Sequence, residues 1–442
     1  MAAVFSFALM IRVAAFLLLG PANRDFGDAE AYRNLGQNLA AGRGFQISIQ
    51  VAGSGLDFWH EPPGSWYIIG RTGEPTAFYE PVFPLLLAGC YSIFGPVGDS
   101  VYLAFQILFG SWLCVLVYHL ARRMASEKVS LAAGLFAGIY PSFVFYSVVL
   151  MTDMLFFFFL LLCLLQGFRY VEKPSNQNLL LLAVLFALTA LTRSVAIVAV
   201  PIIFAALLLA RRPWKDKMAH ALLFAVSLTV FFGAWMYRNY RTYNMPILLP
   251  TKGAYNFWDT MACLPRLLGE RGLLPRSLKA MDLNWDFQKV EKALPDLNRL
   301  DLLWLPDQWA ATEPERAQQL TRQTTAFLTA NPGYAVNRYL QVAAKMYLPF
   351  RIETDSRALQ WGQGIAYLLA LLAGVWGWIR RRRDHAILNI IAISLLIYGL
   401  IVPIYSIQNS QRSRMPLDIM LIWLAACGFQ AIYDRLFAPK AA

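Results

Sequence analysis

The chain has 442 residues, of which 58% are hydrophobic and only 15% charged; an average soluble domain has roughly 45–50% and about 25%. With 30 Phe, 20 Tyr and 13 Trp and a mean hydropathy of +0.46, this excludes a soluble multidomain enzyme, a disordered chain and a disulfide scaffold. The formal net charge of +12 suggests nucleic acid in a soluble protein, but here the basic residues gather directly after apolar stretches, as the positive-inside rule predicts for a polytopic membrane protein.

In chain order, apolar stretches near 3–20, 99–121, 129–150, 154–168, 178–192, 194–210, 218–236, 357–379, 385–404 and 415–434 are candidate spans; a bilayer core takes roughly 20 residues of helix. The first reads as a membrane helix rather than a cleaved signal, because it lacks a basic leader and Arg12 interrupts its apolar core. Segment 81–95 is short and proline-rich. If it does not cross, Arg122-Arg123, Arg211 to Lys217 and Arg380 to Arg383 share one side of the membrane. That parity predicts ten crossings, both termini in the cytoplasm, and 81–95 half-buried at the outer face. The stretches 178–192 and 194–210 turn at Thr192-Arg193-Ser194, which puts Arg193 near that face.

Three regions follow: a transmembrane module over 1–236 containing an outer loop at 21–98, an outer-face region at 237–356 that reads as a lid or acceptor-binding element, and C-terminal membrane helices over 357–442. Within the second, 335–350 has the pattern of an amphipathic helix lying on the membrane. No repeat and no N-x-S/T sequon occurs, and the four histidines have no metal-ligand spacing. The five cysteines form no CxxC; Cys90 and Cys263 are the pair that an oxidising compartment would join, and nothing in their spacing says that it does.

Carboxylates are scarce, so their positions carry information. Asp28 opens the helical stretch DAEAYRNLGQNLAAG and shares a helix face with Tyr32, with Gly42 and Gly44 ending the helix. Asp28 reads either as an N-cap or as a carboxylate presented at the membrane surface. Glu80 precedes Pro81 where the half-buried helix begins, a place a helix dipole alone favours for an acid. Asp153, in VVLMTDMLFFFF, is an ionisable group inside very apolar sequence and a functional candidate on that ground. Parity puts all three acids on the outer face. Arg238, Asn239, Tyr240, Lys252, Tyr255 and Asn256 follow the seventh span, and Arg412 and Arg414 precede the last. Aromatic and basic residues also serve as interfacial anchors, but arginines left outside against the charge rule suit a lipid phosphate.

In the order and spacing of these motifs the chain resembles the GT-C superfamily of integral-membrane glycosyltransferases, in particular bacterial family-39-type enzymes such as lipid A aminoarabinose transferases and protein O-mannosyltransferases. The resemblance rests on Asp28-x-x-x-Tyr32, Glu80-Pro81, Asp153, Thr192-Arg193, Arg238-Asn239-Tyr240, Lys252 to Asn256, and Arg412-x-Arg414-x-Pro416. Many relatives carry an Asp-Glu pair where this chain has Asp28-Ala29, and the aminoarabinose enzymes have a Lys where it has Pro81.

The resemblance implies an all-α GT-C membrane fold in a bacterial inner membrane. It implies transfer of a sugar from a polyprenyl-phosphate donor to a lipid, polysaccharide or protein hydroxyl on the periplasmic face. Asp28 would act as general base, with Glu80 and Asp153 as further catalytic carboxylates. Arg238, Lys252, Arg412, Arg414 and Arg193 would receive the donor phosphate. Tyr32, Asn239, Tyr240, Tyr255 and Asn256 would position substrate. A divalent cation, if bound, would sit on Asp28, Glu80 and Asp153. An O-antigen-type polymerase or ligase and a transporter of lipid-linked sugars are the alternatives, although transporters show repeats and midplane sites that this sequence lacks.

Overall fold

The computed structural model describes residues 1–19, 28–47, 73–262, 312–347, 357–382, 386–405 and 410–437. The described chain is helical apart from an isolated bridge between Gln46 and Pro75. Its helices are α1 (Ala2–Leu19), α2 (Ala29–Ala40), α3 (Val82–Phe94), α4 (Gly98–Ala121), α5 (Glu127–Ile139), α6 (Pro141–Val148), α7 (Asp153–Glu172), α8 (Asn176–Thr192) and α9 (Val200–Leu209). They continue as α10 (Trp214–Tyr243), α11 (Lys252–Met261), α12 (Glu313–Ala330), α13 (Pro332–Tyr347), α14 (Arg357–Arg381), α15 (Ala386–Tyr405) and α16 (Ser410–Phe437).

Six described helical stretches are long and apolar enough to cross a membrane, or seven if the bent pair α5–α6 is one span. Three shorter apolar helices, Asn176–Thr192, Ser194–Leu209 and Asn389–Tyr405, occupy the remaining stretches. The bend of 53° between α5 and α6 falls at Tyr140-Pro141, where the ring removes a backbone donor and forces the preceding residue out of helical geometry.

Val82–Ala121 is almost continuously apolar, yet it does not run as one rod. Gly95 has φ of 63°, a left-handed value that suits glycine and turns the chain. Phe83 and Tyr102, far apart along an uninterrupted helix, stack at 4.9 Å, so α3 folds back along α4. Its inner face is Phe83, Leu87, Cys90 and Tyr91, while Leu85, Leu86, Ile93 and Phe94 face outward. Segment 81–95, which the sequence set apart from the spans, forms a helix of its own turned back along α4. Cys263, whose pairing with Cys90 the sequence leaves open, lies outside the described residues.

Arg12 is wholly buried in α1 and fastens it to three helices. It donates to Ser147 Oγ at 3.0 Å, the Ala8 carbonyl at 3.1 Å, the Gly138 carbonyl at 3.2 Å and Cys114 Sγ at 3.4 Å. Giving each of the three nitrogens an acceptor in this way is what makes a charge tolerable inside an apolar bundle.

The last helix forms the centre of the fold. α16 is buried along most of its length and packs extensively on α14. Gly374, Gly377 and Gly428 bring the two backbones together: a Cβ on Gly377 would stand 2.0 Å from the Leu424 carbonyl oxygen. Small residues at such contacts replace the hydrophobic drive that lipid cannot supply. The described part of region 237–356 is not separate from the bundle: α11 packs on α12 and α15, and α13 packs on α15 and α16.

Candidate active site

The site forms where four chain ends meet: the start of α2, the segment ahead of α3, the start of α7 and the start of α16, with α8 and α11 closing it. Asp28 occupies the N-cap position of α2, but its side chain makes no capping bond. It turns instead to Tyr79, whose hydroxyl donates to Oδ1 at 3.1 Å, and to Lys252, whose ammonium reaches Oδ2 at 2.5 Å. Arg412 Nη1 lies 3.4 Å from the same oxygen. A carboxylate at a helix start that ignores the free amides has been recruited by other partners rather than serving as the cap.

Asp153, the first residue of α7, is 1% exposed. Arg412 Nε donates to both of its oxygens at 3.1 and 2.9 Å, and Arg193 Nη1 donates to Oδ1 at 2.7 Å. Thr152 Oγ1 accepts from Arg193 at 3.3 Å and from Arg412 at 3.4 Å. Arg412 therefore bridges Asp28 and Asp153. Glu80 joins from the segment before α3: its Oε1 accepts the Ser194 amide at 2.6 Å, just past the α8 terminus that carries Arg193. Three acids (Asp28, Glu80, Asp153) and three bases (Arg193, Lys252, Arg412) thus converge from positions spread over the whole chain.

Burial alone would raise the Asp28 carboxyl, but the charges of Lys252 and Arg412 outweigh it and hold the group far below the usual carboxylate range. Lys252 is also lowered, because burial, reinforced by the like charge of Arg412, outweighs the pull of Asp28 and the weaker one of Glu80. The asymmetry is physical: the charges of Lys252 and Arg412 on Asp28 are both positive, whereas Lys252 sees carboxylates and a competing guanidinium together. The phenols of Tyr32 and Tyr79 are raised by burial and then by the charge of Asp28. Tyr32 stacks on Tyr79 at 4.8 Å and on Phe83 at 4.7 Å, so it shapes the wall behind Asp28. The Lys252 ammonium lies over the Tyr79 ring at 4.8 Å.

Other sequence candidates are placed elsewhere. Arg238 donates to the carbonyls of Thr76 and Phe45 at 2.8 Å each and lies between the Phe45 and Trp235 rings, stitching the segments around Phe45 and Thr76 to α10. Asn239 bonds the Ile247 carbonyl at 2.8 Å, and Tyr240 is half exposed. Arg414 is fully buried, 3.3 Å from Asp418 and from the Met346 carbonyl, over the Tyr367 ring at 3.7 Å. The reason is helical geometry: residues two apart do not share a face, so Arg412 and Arg414 serve opposite sides of α16. Neither Arg238 nor Arg414 contacts the Asp28 cluster as described. Tyr255 and Asn256 follow Lys252 on α11; Tyr255 stacks on Phe78 at 5.3 Å, and Asn256 Oδ1 is buried without a hydrogen-bond partner among the described residues.

The anticipated metal ligands do not suit a cation. Among the described residues no group of three or more His, Cys, Asp or Glu is placed to hold one. Asp28 and Asp153 are already ion-paired, and a divalent ion there would face Arg193, Lys252 and Arg412.

Three partners escaped sequence reasoning: Tyr79, Thr152 and Glu313. The first two are direct neighbours of Glu80 and Asp153, so adjacency to a candidate acid was the available signal. Glu313 carried none, because its partners, Thr76, Ala77 and Thr251, lie far away in the chain.

Comparison with known proteins agrees with this architecture. Residues 74–237 match the model of the family described as dolichyl-phosphate-mannose-protein mannosyltransferase. Archaeal oligosaccharyltransferase AglB from Archaeoglobus fulgidus, solved with an inhibitory peptide and a dolichol-phosphate, is similar over 100% of this chain and 52% of its own, at 14% identity and TM-score 0.53. The apo oligosaccharyltransferase of the same organism gives 0.55 at 14% identity, over 99% and 51% of the two chains. ArnT from Cupriavidus metallidurans, solved with undecaprenyl phosphate, matches at 12% identity and TM-score 0.39, over 100% and 80%. No curated protein matches by sequence. The chain has the GT-C fold, as the resemblance implied, and spans about half the length of the oligosaccharyltransferases it matches.

Proposed function

We propose that the protein is a membrane glycosyltransferase that moves a sugar from a polyprenyl-phosphate donor to an acceptor hydroxyl on the outer face of a bacterial inner membrane. The observation that carries this reading is the bridge of Arg412 between Asp28 and Asp153, with Lys252 on the first acid and Arg193 on the second. The cluster is charge-balanced, lies at helix ends, and is lined by cations suited to one phosphate. The match over 74–237 to a family named for a dolichyl-phosphate-linked sugar supports the donor class. Ten crossings, with both termini in the cytoplasm, remain the topology we favour.

In the reaction, the acceptor oxygen bonds to the anomeric carbon as the bond from that carbon to the phosphate oxygen breaks. The electron pair leaves with the phosphate, and the hydroxyl proton passes to Asp28. A transition state with oxocarbenium character follows from the same chemistry as glycoside hydrolysis. In the resting site Lys252 and Arg412 depress the basicity of Asp28. A donor phosphate that draws these two cations toward itself restores that basicity and gains their charge at the moment negative charge grows on the leaving group. Asp153 then holds Arg412 and Arg193 in register, and Glu80 fixes the backbone turn that carries Arg193. Asn256 and Tyr255 lie along α11 from Lys252 and serve substrate positioning, with Tyr32 behind Asp28. Arg238 and Arg414 belong to the scaffold in this reading.

The test gives purified protein a set of polyprenyl-phosphate sugars with lipid, glycan and peptide acceptors. The native chain is compared with Asp28→Asn. Loss of a general base lowers transfer typically 10²–10⁴-fold. A folded Asp28→Asn protein that transfers at the native rate removes Asp28 from the reaction. Absence of transfer by the native chain, together with lipid-sugar movement across vesicles, assigns the protein to transport instead.

A further inference from the structure

Glu313 is a buried acid that the proposed reaction does not use. It is 3% exposed and belongs to the first turn of α12. That turn is already closed by a capping box between Thr312 and Glu315, so the helix does not need the Glu313 side chain. The carboxylate turns away from its own helix. It accepts from Thr76 Oγ1 at 2.5 Å, from the Ala77 amide at 3.0 Å and from Thr251 Oγ1 at 2.6 Å. The Thr251 amide in turn donates to the Ala77 carbonyl at 3.0 Å, so the two bonded segments run side by side.

Those segments carry both groups that bond directly to Asp28 and lie outside α16. Tyr79 stands three residues after Thr76, and Lys252 is the residue after Thr251. Tyr79 holds Oδ1 of Asp28 and Lys252 holds Oδ2. One carboxylate, contributed by the second outer region, therefore bridges the two arms that grip the first outer helix, alongside the direct Thr251–Ala77 backbone bond. Burial and hydrogen bonding without a strong local purpose is costly; here the cost has a purpose at a distance.

We propose that Glu313 is a positioning residue for the Asp28 site: by joining Thr76, Ala77 and Thr251 it fixes Tyr79 and Lys252 on the Asp28 carboxylate without touching it. The geometrical claim stands on these contacts alone, and its effect on catalysis rests on the transferase reading above.

The experiment measures the reactivity of Lys252 toward a small amine-modifying reagent, quantified by mass spectrometry on the full-length protein in detergent. Native protein, Glu313→Ala and Glu313→Gln are compared, with Lys128 and Lys215, both exposed, as internal references. Glu313→Ala removes all three acceptor contacts and raises Lys252 modification about tenfold, the scale expected when hydrogen bonds to a charged group are lost. Glu313→Gln keeps an oxygen for the Ala77 amide and Thr251 and stays within about threefold of native. Where transfer is measurable, Glu313→Ala lowers kcat and Glu313→Gln recovers most of it. Unchanged Lys252 reactivity in folded Glu313→Ala overturns the proposal. So does an equal rise at Lys128 and Lys215, which means general loosening. If Lys252 responds as stated but native protein transfers no sugar, the positioning role holds and the transferase reading fails.

Discussion

Arg412 is the most informative residue to change, because its guanidinium is shared by two carboxylates from distant helices. Nε makes a forked contact to Asp153 at 3.1 and 2.9 Å, and Nη1 lies 3.4 Å from Asp28. The arginine side chain is 12% exposed and that of Asp153 is 1% exposed, so solvent screens the pair little. Lysine keeps the charge but presents one ammonium, which cannot sit in line with both acids. Arg412→Lys therefore forfeits one charge-assisted contact, about 1.5–3 kcal/mol. Arg412→Ala leaves Asp153 with Arg193 and Asp28 with Lys252 and the Tyr79 hydroxyl. Breaking a buried pair outright costs about 3–5 kcal/mol, and the remaining partners place this case near the lower bound. The assay is a thermal and chemical unfolding cycle in detergent over native, Arg412→Ala, Asp153→Asn and the double variant. A coupling of about 1.5 kcal/mol or more is expected for residues in one network; strictly additive effects, within about 0.5 kcal/mol, would refute the bridge.

Further outcomes follow from other contacts. Because Lys252 and Arg412 depress Asp28 against burial, the stability from its ionised form is present above the ordinary Asp value of about 3.9 and is lost as pH falls through the depressed value. The gap in melting temperature between native and Asp28→Asn should stay flat from about pH 5 to 8 and narrow below about pH 4; a gap that opens on acidification would contradict the ion pair. Lys252→Ala should raise the donor KM about tenfold or more, whereas Arg238→Ala should destabilise the fold and leave donor KM within about threefold, since Arg238 is spent on backbone carbonyls. Gly377→Ala would place a methyl 2.0 Å from the Leu424 carbonyl and 2.8 Å from the Gly428 amide, costing about 1–3 kcal/mol. Gly233→Ala meets nothing within 4 Å and should be neutral or slightly stabilising in a melt. Sugar transfer should persist in a chelator, because Asp28 and Asp153 are committed to cations; abolition by chelator and recovery with a divalent ion would overturn that assignment.

Much of this was legible along the chain because it depends on near neighbours and on solvent. Apolar runs and basic flanks depend on local backbone preferences and on the cost of exposing polar groups to lipid, so they gave most of the helices and the membrane class; the break at Pro141 inside the stretch 129–150 was not among the expectations. The same scarcity of charge isolated Asp28, Glu80 and Asp153 as candidates before any coordinates, and all three enter the cluster. What the chain order did not contain was which cation meets which acid. Arg412 and Arg414 look equivalent in sequence, but the helix turns them apart, and only the docking of α16 through the middle of the bundle decides that Arg412 faces Asp28. Arg238 was a phosphate candidate for the same reason as any arginine that parity puts on the outer face; the contacts the fold gives it are the Thr76 and Phe45 carbonyls. Glu313 had no sequence signal at all, since its three donors lie 237, 236 and 62 positions away. Local physics determined the elements and the shortlist of ionisable groups; long-range packing, which sets distances between residues remote in the chain, decided the partners.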